Sequence, residues 1–219
     1  MKHPSLTVIL PTYNERDNIV PLIRKIQKYI PASSTILVVD DDSPDGTAVN
    51  VQTNAHVKLL VRTTARGLTN SLRDGIAMSK SDVVLWMDCD FSHPPSVIPK
   101  LLKEIERGAD IALASRVRNR GLSLLINTIA MLFFGRNITD YTTGFLAVRR
   151  TVLDRIPLLG NYGEYCIDLL VCAQAAGYGI KEIPYISPPR RLGASKTTPL
   201  GHGVGYITTV LRLLCTSDK

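Results

Sequence analysis

Five short runs in the first half of the chain, Leu6–Leu10, Thr35–Val39, Val57–Val61, Val83–Met87 and Ile111–Ala114, are almost unbroken in apolar and β-branched residues. A strand with one wet face alternates polar and apolar positions, so a run that is apolar throughout needs cover on both faces. Longer stretches with helical spacing separate these runs, at Asp17–Ile30, Thr47–Asn54, Leu68–Ser79 and Ser96–Arg107. The alternation predicts an α/β fold, a Rossmann-like sheet with helices on both faces. A length of 219 residues suits one domain over 1–219 with one sizeable core. Sheets of this kind bind ligands outside the carboxyl ends of their strands, so the residues following each run carry the functional information.

Three of the runs end in polar motifs. Pro11-Thr12-Tyr13-Asn14-Glu15 follows the first and precedes a helix. It reads either as a turn with Asn14 as N-cap or as a surface on which Tyr13 and Glu15 face a nucleoside. Asp40-Asp41-Asp42-Ser43-Pro44-Asp45-Gly46-Thr47 ends the second. From Asp41 it loosely imitates a calcium loop, but the twelfth position is Gln52 and a strand precedes it where a helix is required. A carboxylate here is instead placed to accept hydrogen bonds from a base or ribose. The fourth run ends in Asp88-Cys89-Asp90-Phe91-Ser92-His93-Pro94-Pro95. If the strand continues, Asp88 and Asp90 point the same way and converge on one cation. Hard oxygen ligands select Mg²⁺ or Mn²⁺, with phosphates and water completing the shell; the alternative is a pair of solvated acids before the next helix. His93, with no second histidine at metal spacing, reads as a turn residue.

The net charge of +7 is unevenly placed. Residues 111–150 hold six arginines (Arg116, Arg118, Arg120, Arg136, Arg149, Arg150) and one acid, Asp140, which points to a polyanionic partner. Nucleic acid is a poor candidate, because the arginines alternate with aliphatic residues instead of aromatics and no binding motif is present. Neither G-x-G-x-x-G nor a P-loop occurs, which leaves dinucleotide enzymes and P-loop NTPases without support. Cys89, Cys166, Cys172 and Cys215 lack CxxC spacing and favour a reducing compartment. The apolar run before Pro11 is too short for a signal peptide's hydrophobic region.

Taken in order, PTYNE, VVDDDSPDGT, DCDFSHPP, the Asp140–Phe145 segment DYTTGF and Arg190-Arg191-Leu192-Gly193-Ala194-Ser195-Lys196 resemble the dolichyl-phosphate mannose synthases of the family 2 glycosyltransferases, over essentially the whole chain. The resemblance implies a GT-A-type fold and transfer of mannose, with inversion, from GDP-mannose to dolichyl phosphate. A related transferase using UDP-glucose or another nucleotide sugar on the same lipid remains the alternative. By match to the family's motifs, Pro11, Tyr13, Glu15, Val39 and Asp41 hold the nucleoside. Asp88, Cys89 and Asp90 lie along the ribose and diphosphate, with Asp90 and Ser92 nearest the metal. Arg190 and Lys196 grip the diphosphate, and Arg116 approaches the reacting phosphates.

On the acceptor side the match departs from the family. An arginine is expected four residues before Ser123, but that place is Asn119, and the arginine is displaced to Arg120. Arg120 or Arg118, with Ser123, is then left to hold the lipid phosphate. Two segments, 118–136 and 199–216, are expected as helices lying at a membrane interface or against the protein's own core. Gly121–Phe134 falls short of the roughly 20 residues that span a bilayer. In the last segment Val204, Ile207, Leu211 and Leu214 follow helical spacing. The expectation is a compact or truncated enzyme, peripheral on the cytoplasmic face of a membrane and open to a membrane-anchoring subunit. Tyr165–Ala176 reads as a helix behind the sheet with Cys166, Leu169, Leu170 and Ala173 inward. Glu164 and Asp168 either approach the sugar or serve as ordinary caps and solvated charges.

Overall fold

The computed structural model describes residues 4–118, 121–188 and 199–216. Seven strands, β1 (Leu6–Thr12), β2 (Thr35–Asp40), β3 (Val57–Val61), β4 (Val83–Trp86), β5 (Ile111–Arg116), β6 (Leu146–Arg149) and β7 (Ile180–Tyr185), form one sheet in the order β3-β2-β1-β4-β6-β5-β7. All neighbours pair in parallel except β6, which runs antiparallel to both β4 and β5. The helices are α1 (Arg16–Ile26), α2 (Thr47–Asn50), α3 (Leu68–Met78), α4 (Ile98–Glu106), α5 (Leu122–Phe134), α6 (Arg150–Leu153), α7 (Tyr165–Ala175) and α8 (Pro199–Thr216), with a 3₁₀ turn at Pro95–Val97.

Apolar character throughout the central strands has the cause inferred from sequence. Ile9, Leu37, Val39, Val84 and Trp86 enter one core, shared with Leu72 of α3 and the buried face of α7. Val8, Leu10, Ile36, Val38 and Leu85 enter the other, shared with Ile19, Leu22 and Ile26 of α1 and with Ile98, Leu101 and Ile105 of α4. Neighbouring side chains on each strand thus serve opposite faces. Trp86 is fixed in the first core by an indole N–H donated to the Tyr165 hydroxyl at 2.9 Å. α3 sits close on the sheet because residue 75 is glycine: a Cβ there would stand 2.9 Å from Ile9 Cγ2 and 3.2 Å from Val39 Cγ2.

Several boundaries differ from the expected ones. α1 stops at Ile26, α2 is a single turn, and the helix expected from Ser96 is split between the 3₁₀ turn and α4. Asn14 is not the cap of α1; it sits at φ 55°, and Glu15 precedes the first helical residue. β6 and β7, absent from the sequence reading, complete the sheet. The chain leaves β1 toward β2 on one side and β4 lies on its other side, so the topological switch falls between β1 and β4. Its carboxyl end is where a ligand crevice is expected.

Candidate active site

A cleft of about 490 Å³ opens at that switch point. Pro11, Tyr13 and Glu15 come to it from the end of β1, Asp41 from β2, and Asp88, Cys89 and Asp90 from β4. Thr12, Arg66, Gly67, Leu68, Ser71 and Tyr162 also line it, none of which the sequence reading had singled out. Three motifs far apart in sequence therefore share one wall because parallel strands deliver their carboxyl ends to the same edge.

The acid-rich loop after β2 is a knot and does not form a cation cage. Asp40 accepts from the hydroxyls of Thr12 (2.9 Å) and Ser43 (2.6 Å) and from the Ser43 N–H (2.9 Å). Asp45 accepts from the Arg16 N–H at 3.1 Å and from the Thr47 N–H at 2.8 Å, so it helps to close the start of α1. The Thr47 hydroxyl in turn accepts the Glu15 N–H at 2.9 Å. Asp41 is buried, with Oδ1 taken by Arg62 and by the Ser71 hydroxyl (2.7 Å), and Oδ2 by the Gly67 N–H (2.8 Å). Arg62 goes on to donate to Asp74 at 2.6 Å and to the Ala65 carbonyl at 2.9 Å. Asp41 thereby ties the loop after β3 to the end of β2. Val39 is wholly buried beneath α3, and its carbonyl accepts the Thr12 hydroxyl at 3.3 Å.

At β4 the strand ends at Trp86, so the two acids are not alternate residues of one extended strand. Both nevertheless reach the cleft: Asp88 is partly open to solvent, whereas Asp90 is buried and accepts the Ser92 N–H at 2.9 Å. Phe91 turns the chain away at φ 66°. Ser92 is not among the cleft-lining residues, and its carbonyl accepts the Ser187 hydroxyl at 3.0 Å. His93 is more than a turn residue. It is buried, stacks on Phe145 with centroids 5.2 Å apart, and takes the Asp88 N–H on Nδ1 at 2.9 Å. Burial lowers its pKa against the pull of the Asp88 and Asp90 carboxylates, so the ring is neutral. With Nδ1 accepting, the proton sits on Nε2, 3.8 Å from Asp88 Oδ2. Cys89 is buried with Sγ 3.5 Å from the Pro11 carbonyl, joining β4 to β1.

Arg116 ends β5 outside the residues that line the cleft, and the 140–145 turn connects the two places. Asp140, fully buried, grips Arg116 side-on, Nε at 2.8 Å and Nη2 at 2.8 Å. Nη2 also donates to the Thr142 hydroxyl at 2.6 Å. Asn127 of α5 supports the same carboxylate from behind at 3.1 Å. Burial alone would raise the Asp140 pKa; the Arg116 hydrogen bonds and charge outweigh it and hold the carboxyl below its ordinary value. At the other end of the turn, a Cβ on Gly144 would stand 3.4 Å from Asp88 Oδ1. One turn thus spaces the Arg116 guanidinium from the acidic pair. Ser123 lies in α5 and is partly buried. Arg120, Arg190 and Lys196 lie outside the described residues.

Glu164 and Asp168 are both buried, and neither lines the cleft. Glu164 accepts the N–H groups of Asn161 (2.7 Å) and Tyr162 (3.1 Å), shaping the loop that brings Tyr162 to the cleft. Asp168 is buried against Arg212 of α8. Among the described residues no cluster of three His, Cys, Asp or Glu side chains is gathered for a metal. Of the acids that line the cleft, Asp88 and Asp90 are the two that the segment after β4 brings in together, a pair of hard oxygen donors that suits a cation whose remaining ligands are substrate phosphates and water.

Residues 7–156 match the profile of glycosyl transferase family 2. The chain belongs to that family. It is 36% identical over 211 residues to a polyprenol monophosphomannose synthase of Mycolicibacterium smegmatis, covering 86% of this chain and 79% of that protein. It is 32% identical over 209 residues to a dolichol-phosphate mannosyltransferase of Pyrococcus furiosus, covering 87% of this chain but only 58% of that one. An undecaprenyl-phosphate mannosyltransferase of Micrococcus luteus is 32% identical over 210 residues, with 86% and 85% covered. Among solved structures, the glucosyl-3-phosphoglycerate synthase of Mycobacterium tuberculosis, in complex with Mn²⁺, uridine diphosphate and phosphoglyceric acid, superposes with a TM-score of 0.79 at 20% identity, over 96% of this chain and 78% of that one. At that identity the likeness establishes the glycosyltransferase fold.

Proposed function

We propose that this family 2 glycosyltransferase moves mannose from GDP-mannose to a polyprenyl phosphate, with dolichyl phosphate the expected acceptor. The observation that carries the reading is the convergence of the Pro11–Glu15 motif and the Asp88–Asp90 pair on one cleft at the topological switch. The names of its polyprenyl-phosphate relatives supply the acceptor class, and the sequence resemblance supplies the donor.

In this reading the nucleoside lies over Pro11, Tyr13 and Glu15. Asp41, whose oxygens are committed to Arg62, Ser71 and Gly67, acts by holding the wall in place. Val39 is wholly buried and does not line the cleft, so it serves the nucleoside site from beneath, as part of the sheet that carries it. The diphosphate runs along Asp88, Cys89 and Asp90. Asp90, with Asp88 and the segment at Ser92, would hold Mg²⁺ or Mn²⁺, which when bound offsets the charge that grows on the departing diphosphate. Arg116 presents Nη1 to the reacting phosphates, because Asp140 and Thr142 occupy Nε and Nη2. Arg190 and Lys196 would add charge from the C-terminal side, and Arg120 with Ser123 would hold the acceptor phosphate.

A phosphate monoester has a second pKa near 6, so the acceptor already carries a nucleophilic oxyanion at about neutral pH and needs no strong base. The chain's task is alignment and stabilisation of the leaving group. No helix among the described residues is long and apolar enough to cross a membrane. α5 and α8 pack together and expose Leu124, Leu125, Leu132, Phe133, Ile207 and Leu211, so this face would lie on the bilayer that holds the acceptor.

The test offers the purified protein labelled GDP-mannose, UDP-glucose and UDP-N-acetylglucosamine with dolichyl phosphate and Mg²⁺ or Mn²⁺. Label should pass into organic solvent from GDP-mannose alone. Transfer from a UDP-sugar instead would reassign the donor, and no transfer from any of them would overturn the reading.

A further inference from the structure

The segment that carries Asp88 and Asp90 is closed by a side chain outside the acidic pair. β4 ends at Trp86, so the Asp88 N–H lies beyond the strand and needs an acceptor of its own. It finds one in His93 Nδ1 at 2.9 Å. Between the two residues the chain reverses through Phe91 at φ 66°, and the Ser92 N–H is taken by Asp90 Oδ1 at 2.9 Å. A left-handed conformation at a phenylalanine costs free energy and persists only where the surroundings impose it. His93 is held firmly enough to impose it. Its ring is buried, stacks on Phe145 at 5.2 Å and meets Tyr185 edge-on at 6.1 Å. Phe145 directly precedes β6 and Tyr185 ends β7, so the ring is packed by two strands other than its own. Pro94, directly after it, restricts the His93 backbone as well. Opposite the ring stands Gly144, where a Cβ would lie 3.4 Å from His93 Cε1.

The same ring leaves the Asp88 carboxylate alone. Nε2 stands 3.8 Å from Asp88 Oδ2, beyond hydrogen-bond reach, and Asp88, which lines the cleft, keeps 40% side-chain exposure. His93 therefore holds the main chain of an acid whose oxygens it does not occupy. That division matters for binding a cation. A carboxylate on a loosely held loop has to be ordered when the cation arrives, which weakens binding, whereas a loop closed beforehand avoids that cost.

We propose that His93 is a positioning residue for the diphosphate end of the cleft: by accepting the Asp88 N–H it sets the Asp88 carboxylate, beside Asp90, where a divalent cation and its phosphates bind. The inference rests on the nucleotide-sugar reading and deepens it by separating two duties of one imidazole. The acceptor nitrogen serves the cation through Asp88, and the ring faces serve the core. His93 itself touches neither cation nor substrate. Substitution can part the two duties. Asparagine carries Oδ1 on Cγ just as histidine carries Nδ1, so it keeps the acceptor and gives up the ring; phenylalanine keeps a ring and gives up the acceptor.

The experiment measures protein-bound Mn²⁺ by equilibrium dialysis, with GDP or UDP at one fixed concentration, for wild type, His93→Phe and His93→Asn. His93→Phe should weaken Mn²⁺ binding by about tenfold or more, and His93→Asn should recover most of that loss. Binding of GMP or UMP without metal should stay within about twofold of wild type in both variants, because the nucleoside wall at Tyr13 and Glu15 is untouched. His93→Leu, likewise without an acceptor, takes the place of His93→Phe should the latter not fold. Mn²⁺ binding to the acceptor-less variant within about twofold of wild type would overturn the inference. So would an asparagine variant as weak as the acceptor-less one, which would leave His93 a packing residue alone, or a parallel loss of monophosphate binding, which would mean a general distortion of the cleft. A wild-type protein that binds no Mn²⁺ with either nucleotide would instead strike the cation site of the nucleotide-sugar reading and take this inference with it.

Discussion

Replacing Asp140 by asparagine tests whether Arg116 is held by a buried ion pair or merely sits near one. The Asp140 carboxylate takes the Arg116 backbone N–H at 3.1 Å, Nε and Nη2 at 2.8 Å each, Asn127 Nδ2 at 3.1 Å and the Thr142 N–H at 3.2 Å. An asparagine offers one acceptor oxygen to these donors and turns its own amide N–H groups toward others. Breaking a buried pair by neutralising one partner costs about 3–5 kcal/mol. The Arg116 side chain retains 23% exposure, so water recovers part of its charge and the lower end, about 3 kcal/mol, is expected. For a chain of this size that corresponds to a fall in Tm of about 6–12 °C. The sign of the pH dependence follows from the direction of the shift. Asp140 titrates below its ordinary value of 3.8 in the folded protein, so its contribution is complete above that value and is lost as pH falls through the lower folded one. Urea unfolding of wild type and Asp140→Asn should therefore show the full gap at pH 7, closing toward the lowest pH at which the wild type still folds. A gap below about 1 kcal/mol at pH 7 would place the pair among weak surface bridges and refute the argument.

Three further outcomes are expected. Gly75→Ala gains about 1 kcal/mol of helix propensity but drives a Cβ to 2.9 Å from Ile9 Cγ2, so unfolding should show a net loss of about 1–2 kcal/mol; a stabilised variant would mean that α3 is not seated on β1 as described. Asp90→Ala should lower transfer at least about a hundredfold with little change in Tm, and near-normal turnover would remove the metal role from Asp90. Leu125 and Leu132 are 58% and 72% exposed on α5 and seven residues apart, so the double change to glutamate should abolish co-sedimentation with anionic liposomes while leaving the fold intact. Undiminished sedimentation would show that α5 does not face the membrane.

Sequence was most informative where one physical cause dominated. The five apolar runs became five strands because a sheet covered on both faces admits little else, and their carboxyl ends fell together because parallel strands point the same way. β6 escaped notice because it is four residues, LAVR, between a turn and a helix, and β7 because IKEIPY mixes charge and proline as edge strands do. Arg66 had a legible sign, a cation and a glycine directly before a helix at the end of the third run, the same place in the fold as the recognised motifs. Tyr162 had none, since it reaches the cleft through a contact between the Thr69 hydroxyl and its carbonyl, 93 residues apart. The acid-rich loop shows why composition alone misleads. Asp40, Asp41 and Asp42 look alike in sequence, yet one ties β1 to its own loop, one is locked to Arg62, and one tethers an exposed arginine over the cleft. Their difference lies in which strand end or helix start faces each carboxylate, a property of the sheet order and not of the residue. For the same reason the surroundings of the acidic pair at 88 and 90 come from Gly144 and His93, which bound the space around Asp88, and from the turn that runs from Gly144 back to Asp140, the partner of Arg116.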